Sequence, residues 1–185
     1  RMTNSKDVGQ YGGSSMSFSF WQGTLKLSIA PLKVVSGQDY PMPDREHEVS
    51  AYLKHTKANI LAKEIRKFMA GEIQSTGITT GAQTFITISD GSEFGLTQPV
   101  VCIRKLNKDL SAVEEEILFI CRTDFHFAVH NFDVEKFDGD KDFESYKNMD
   151  LEDLAVVLEE YAKSMTNAQA YAVHETAQYV NSSML

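Results

Sequence analysis

Three aromatic rings, a glycine and a cation fall within residues 18–26, at Phe18, Phe20, Trp21, Gly23 and Lys26, with the polar side chains of Gln22 and Thr24 beside the glycine. Rings on a strand offer flat surfaces on which unpaired bases stack, at about 1–3 kcal/mol per base, while neighbouring cations follow the phosphates. A glycine lets the backbone approach a ligand closely because it has no Cβ. Arg104, Lys105, Lys108 and Arg122 are further cations in or beside strand-like segments. The chemistry this set suits is sequence-tolerant binding of a single strand of nucleic acid. Stacking does not read the sugar, so DNA and RNA stand together here. The competing reading is structural: alternation along a strand buries every second side chain, so any one of Phe18, Phe20 and Trp21 is as readily core as exposed.

Other chemistries find less support. Arg122, Asp124, His126 and His130 share a parity and so project from one face of a strand, but no further residue with ligand spacing joins the two histidines and the aspartate to complete a metal site. The run Asp138-Gly139-Asp140-Lys141-Asp142 invites a calcium-loop reading. Such a loop needs glycine at its sixth position and a bidentate glutamate at its twelfth, where this chain has Phe143 and Met149. An acidic solvated loop is the better reading. There is no Walker loop, dinucleotide fingerprint, nucleophile elbow or zinc-protease helix. The chain is therefore read as non-catalytic, with no cofactor and no metal.

The elements that position these residues follow from periodicity. Residues 1–15, polar and Gly/Ser-rich, read as a flexible arm, and residues 16–185 as a single domain. Residues 16–29 alternate, with Met16, Phe18 and Phe20 on one parity and Leu25, Leu27 and Ile29 on the other, so Gly23 marks a bulge or a turn. Pro31 is expected to end the strand, and Pro41 and Pro43 to lie in a loop. Residues 44–70 admit either one helix or a short strand at Val49, Ala51 and Leu53 followed by a helix from Lys57 to Ala70, capped by Thr56. In both versions Ile60, Leu61, Ile65, Phe68 and Met69 form its apolar face and Gly71 its stop. Strands are expected at 84–89, 98–106 and 116–132, then an acidic loop at 133–150. A final helix from about 151 to 171 or beyond buries Leu151, Leu154, Val157, Leu158 and Tyr161, with Asp150 as N-cap. The fold class is α+β, mainly antiparallel, with a strands-then-helix unit occurring twice.

Composition sets the frame. The 185 residues are 42% hydrophobic and 24% charged, which excludes disorder, collagen and coiled coil. No apolar run approaches the ~18 residues of a membrane span, and the polar opening carries no signal-like segment. Cys102 and Cys121 form no disulfide framework and read as buried thiols, which suits an intracellular, reducing compartment. The net charge of −8 is unevenly spread: residues 1–108 carry 13 Lys/Arg against 9 Asp/Glu, and residues 109–185 carry 5 against 17. Such asymmetry suits a nucleic-acid partner or an acidic contact region.

The segment Trp21-Gln22-Gly23-Thr24-Leu25-Lys26-Leu27-Ser28-Ile29-Ala30-Pro31 resembles the first-strand motif of the Whirly proteins: an aromatic, a glycine flanked by lysines, alternating small and apolar residues, then proline. Gln22 and Thr24 stand where the family has its lysines. The strand around residues 125–131, the acidic loop and the last helix follow the Whirly order as well. The resemblance covers about a third of the chain. It implies a sheet-based single-stranded DNA-binding protein that assembles as a homo-tetramer through its helices and serves replication, recombination, repair or transcription. On this reading Phe20 and Trp21, with Phe18, stack on bases; Lys26, Arg104, Lys105 and Arg122 neutralise phosphates; and Gly23, with Gln22 and Thr24, admits the strand. The alternative is a non-catalytic protein-interaction module whose acidic second half binds a basic partner.

Overall fold

The computed structural model describes residues 2–4, 13–38, 41–122, 127–128, 144–145 and 149–183, with side chains at 13–38, 41–122 and 150–172. Asp124, His126, His130 and most of the acidic segment lie outside the described residues.

The alternating segment folds as a hairpin. Strand β1 (Met2–Asn4) pairs with β2 (Ser14–Trp21), and β2 pairs antiparallel with β3 (Thr24–Lys33) in a register that sets Phe20 opposite Leu25 and Trp21 opposite Thr24. Two residues remain for the turn, Gln22 at φ 47° and Gly23 at φ 71°. Two successive left-handed residues make the primed turn whose twist matches its strands. The parity flip at Gly23 is therefore a turn. Within residues 1–15, β1 and the start of β2 belong to the sheet.

Pro31 does not end β3. Pairing on that side passes from β5 (Val49–Leu53), whose first residue lies opposite Ile29, to β4 (Met42–Pro43), whose last residue lies opposite Leu32. The Leu32 N–H turns the other way, donating to the Gly13 carbonyl at 2.9 Å. Proline thus falls where no ladder bond is required of its nitrogen.

The strand-then-helix version of residues 44–70 is the one realised. Helix α1 (His55–Met69) starts two residues earlier than expected, with Lys54 as N-cap and no side-chain cap from Thr56. Its buried residues are Ala58, Leu61, Ala62 and Ile65, whereas Ile60 faces solvent. Gly71, at φ 75°, follows the helix end as expected.

The second sheet has the order β6 (Ser75–Thr79), β7 (Thr84–Ser89), β8 (Val100–Leu106), β9 (Val113–Ile120), all antiparallel. Strand β9 starts and stops earlier than periodicity suggests. Two further short strands, β10 (Phe127–Ala128) and β11 (Glu144–Ser145), pair with each other. Helix α2 runs over Met149–Ser183. Asp150 lies inside it rather than capping it: its fully buried carboxylate accepts the Arg122 backbone N–H at 2.7 Å and pairs with the Arg122 guanidinium. This ties the end of β9 to the start of α2.

The chain is α+β and mainly antiparallel, with strands then helix occurring twice. One apolar cluster joins Met16, Leu25, Leu27, Ile29 and Leu53 of the first sheet to Ile86, Ile88, Val101, Ile103 and Phe119 of the second and to both helices. Leu151, Leu154, Leu158 and Tyr161 supply the buried stripe of α2. The thiols are free and buried in different clusters, Cys121 in this one and Cys102 in a smaller one with Val100 and Ile120. Burial pushes the Cys102 thiol up to about 11, so neither cysteine is primed for chemistry at neutral pH. No helix among the described residues is long and apolar enough to cross a membrane.

Candidate nucleic-acid interface

Residues directly opposite in an antiparallel pair point to the same face. Phe18 and Phe20 therefore share the core face with Leu27 and Leu25. Phe18 packs against the core. Phe20 outruns it and stays 71% exposed, its ring 5.7 Å from that of Tyr161. Trp21 points the other way and is 62% exposed. The three rings do not form one platform: Trp21 alone lies on the outer face, Phe20 flanks the tip from beneath, and Phe18 serves the core.

The outer face of the first sheet is polar. Ser17, Ser19 and Trp21 of β2 lie beside Thr24, Lys26 and Ser28 of β3, and these beside Ser50 and Tyr52 of β5. Tyr52, 45% exposed, is the second ring of this face. Its neighbours Ala51 and Leu53 are buried, so the period-two signal that marked Val49, Ala51 and Leu53 as core already implied Tyr52 outside. The same end of the sheet carries exposed Lys54 and the N-terminus of α1, which has no acidic residue in its first turn. Oriented backbone N–H groups there favour anions.

Helix α2 holds the hairpin tip. The Tyr161 hydroxyl lies 2.8 Å from the Gly23 carbonyl and 3.1 Å from that of Leu53. Burial raises its pKa, so it remains a donor. Gly23 is accounted for by the turn, and a Cβ built there would rest 3.7 Å from Met165 Cε. Gln22 and Thr24 complete the tip, Gln22 exposed and Thr24 half-buried.

The four cations expected to meet phosphate are dispersed and engaged. Lys26 Nζ lies 2.8 Å from Glu48, and Glu48 also receives Arg45. Arg104 pairs with Glu116 and Glu93 and lies over the Phe94 ring, 5.4 Å from its centroid. Lys105, on the opposite face of β8, pairs with Glu115 at 3.0 Å. Arg122 is committed to Asp150. Arg104 and Lys105 belong to the second sheet, so only Lys26 shares a face with Trp21. Among the described residues no group of three His, Cys, Asp or Glu is placed to hold a metal.

The chain matches no protein-family model, no curated protein and no solved structure.

Proposed function

We propose that the protein binds single-stranded nucleic acid, DNA in the first instance, without catalysis and with little sequence preference. The binding surface is the outer face of the first sheet at the β2–β3 hairpin. The observation that carries this reading is the pair Trp21 and Tyr52, exposed on one polar sheet face where a core residue would be covered. An exposed indole at the end of a paired strand loses little entropy on stacking. Lys54 and the start of α1 supply positive potential beside it, and Lys26 contributes where phosphate competes with Glu48. Phe20 meets a base that curls around the tip. A homo-tetramer, implied by the Whirly resemblance, belongs to the same proposal, as does an intracellular setting.

Trp21 is the only tryptophan, so its fluorescence reports on the site directly. Titration with a single-stranded oligonucleotide should quench it, duplex should compete poorly, and affinity should fall with salt at a slope of about −0.7 per phosphate neutralised. Absence of binding at low salt overturns the reading. The protein-interaction alternative is favoured by one observation, the carboxylate already seated on each of the four expected cations.

A further inference from the structure

A groove of about 600 Å³ opens at the other end of the first sheet, between the start of β2 and strand β9. Its lining holds five glutamates, Glu46, Glu48, Glu114, Glu115 and Glu116, and one side of it is the consecutive run Glu114–Leu118. Consecutive strand residues point to opposite faces, so a groove touching all five runs along the edge of β9. That edge is open, since β9 is terminal in its sheet among the described residues. Ser14 also lines the groove; it is 3% exposed, and its hydroxyl has no hydrogen-bond partner among the described residues. An orphaned buried hydroxyl calls for an explanation, and a donor from an occupant provides one.

We infer that this groove docks an extended basic segment of a partner protein, with lysine or arginine at alternate positions. Glu48, Glu115 and Glu116 already hold cations of this chain, but Glu46 and Glu114 have no ion partner among the described residues. The carboxylates are strung out rather than converged, and no three form a metal site. A row of separated negative charges matches a row of separated positive ones. Glu114 sits at a bulge, between Glu115 opposite Lys105 and Val113 opposite Leu106, and Glu116 lies in the regular ladder beyond it, so the carboxylates are spread along the edge. Edge-strand addition supplies backbone hydrogen bonds, and the glutamates supply selectivity. Charge of one sign on an edge strand also discourages self-pairing, but that purpose does not explain the orphaned Ser14. This inference is independent of the nucleic-acid reading.

The test is anisotropy titration of the whole protein, without nucleic acid, using a labelled peptide of four Lys-Thr repeats. Controls are the same residues in two blocks and a Glu-Thr repeat. The alternating peptide should bind tightest and the acidic one not at all. Glu46→Gln with Glu114→Gln should weaken binding about tenfold, the worth of two exposed ion pairs. Asp153→Asn with Glu160→Gln, exposed acids on α2, should leave it unchanged. No preference for alternation, or equal losses in both double variants, would show a general attraction to a negative protein and overturn the inference. All four substituted positions are exposed, and circular dichroism checks that each variant folds.

Discussion

The hairpin tip and the acidic groove occupy opposite ends of one sheet, seven residues apart along β2 from Trp21 to Ser14, or about 23 Å. At the tip Trp21 and Tyr52 on the outer face and Phe20 beneath it face solvent, and the exposed cation Lys54 stands beside the start of α1. At the groove five glutamates gather, and the only buried orphan hydroxyl among the described residues lies in its wall. The net charge of −8 averages over both. A ligand at either end responds to the local potential, because exposed charges beyond ~8–10 Å are largely screened at physiological salt. The two ends should therefore bind different partners, linked through the Lys26–Glu48 ion pair, from which each partner would draw one member.

The largest separation of the two is expected from Trp21→Ala. It should cost about 1–3 kcal/mol of single-strand affinity and leave peptide affinity untouched. Unchanged nucleic-acid binding by a folded variant would remove Trp21 from the interface. Tyr161→Phe comes next. It removes the single O–H that the Gly23 and Leu53 carbonyls share and should cost about 1–2 kcal/mol of stability in urea unfolding. A loss of peptide binding as well would show the ends to be mechanically coupled. Gln22→Asn is a smaller change in the opposite direction. Asparagine tolerates the left-handed region better than glutamine, and Asn-Gly is a preferred pair for this turn. A gain of about 0.5 kcal/mol is expected in the same measurement.

The smallest effect near neutrality concerns acid. Burial pushes the Glu48 carboxyl up, but hydrogen bonds from Lys26, Arg45 and Ser28 outweigh it and bring it down to about 2. Lys33 and His47 likewise hold Asp44 at about 2. A carboxyl whose folded pKa is depressed stabilises the fold above its unfolded pKa and loses that contribution as pH falls through the folded one. Stability from these groups should be complete above about pH 4.5 and drain away towards pH 2. Lys26→Gln should flatten the decline, because raising the folded Glu48 pKa towards its unfolded value leaves less stability for acid to remove, as urea midpoints across that range would show. An unchanged profile would mean that Lys26 is free for phosphate.

Much of the architecture was legible because periodicity is local. The stripe Leu151, Leu154, Leu158, Tyr161, the run 84–89 and the Gly23 discontinuity all follow from side chains a few residues apart. Strand β6 was not legible. Ser75-Thr76-Gly77-Ile78-Thr79 has one large apolar residue, and as an edge strand it is only half covered. Pro31 misled because proline's cost depends on which neighbour needs its missing N–H. Ile60 misled because helix α1 buries alanines on its core face instead.

The candidate site divides along the same line. The sequence alone determined the residue types, the α+β order, the hairpin glycine and the charge asymmetry, all set by neighbours in the chain. Only the tertiary structure decided which ring faces solvent and which cation is available. Lys26 meets a carboxylate 22 residues away and Arg122 one 28 residues away. Such pairings arise when distant strands and helices close on a shared core, and no local pattern encodes them. The groove is of the same kind, since Ser14, Glu46 and Glu114 become neighbours only when the two sheets bury their apolar faces in one cluster.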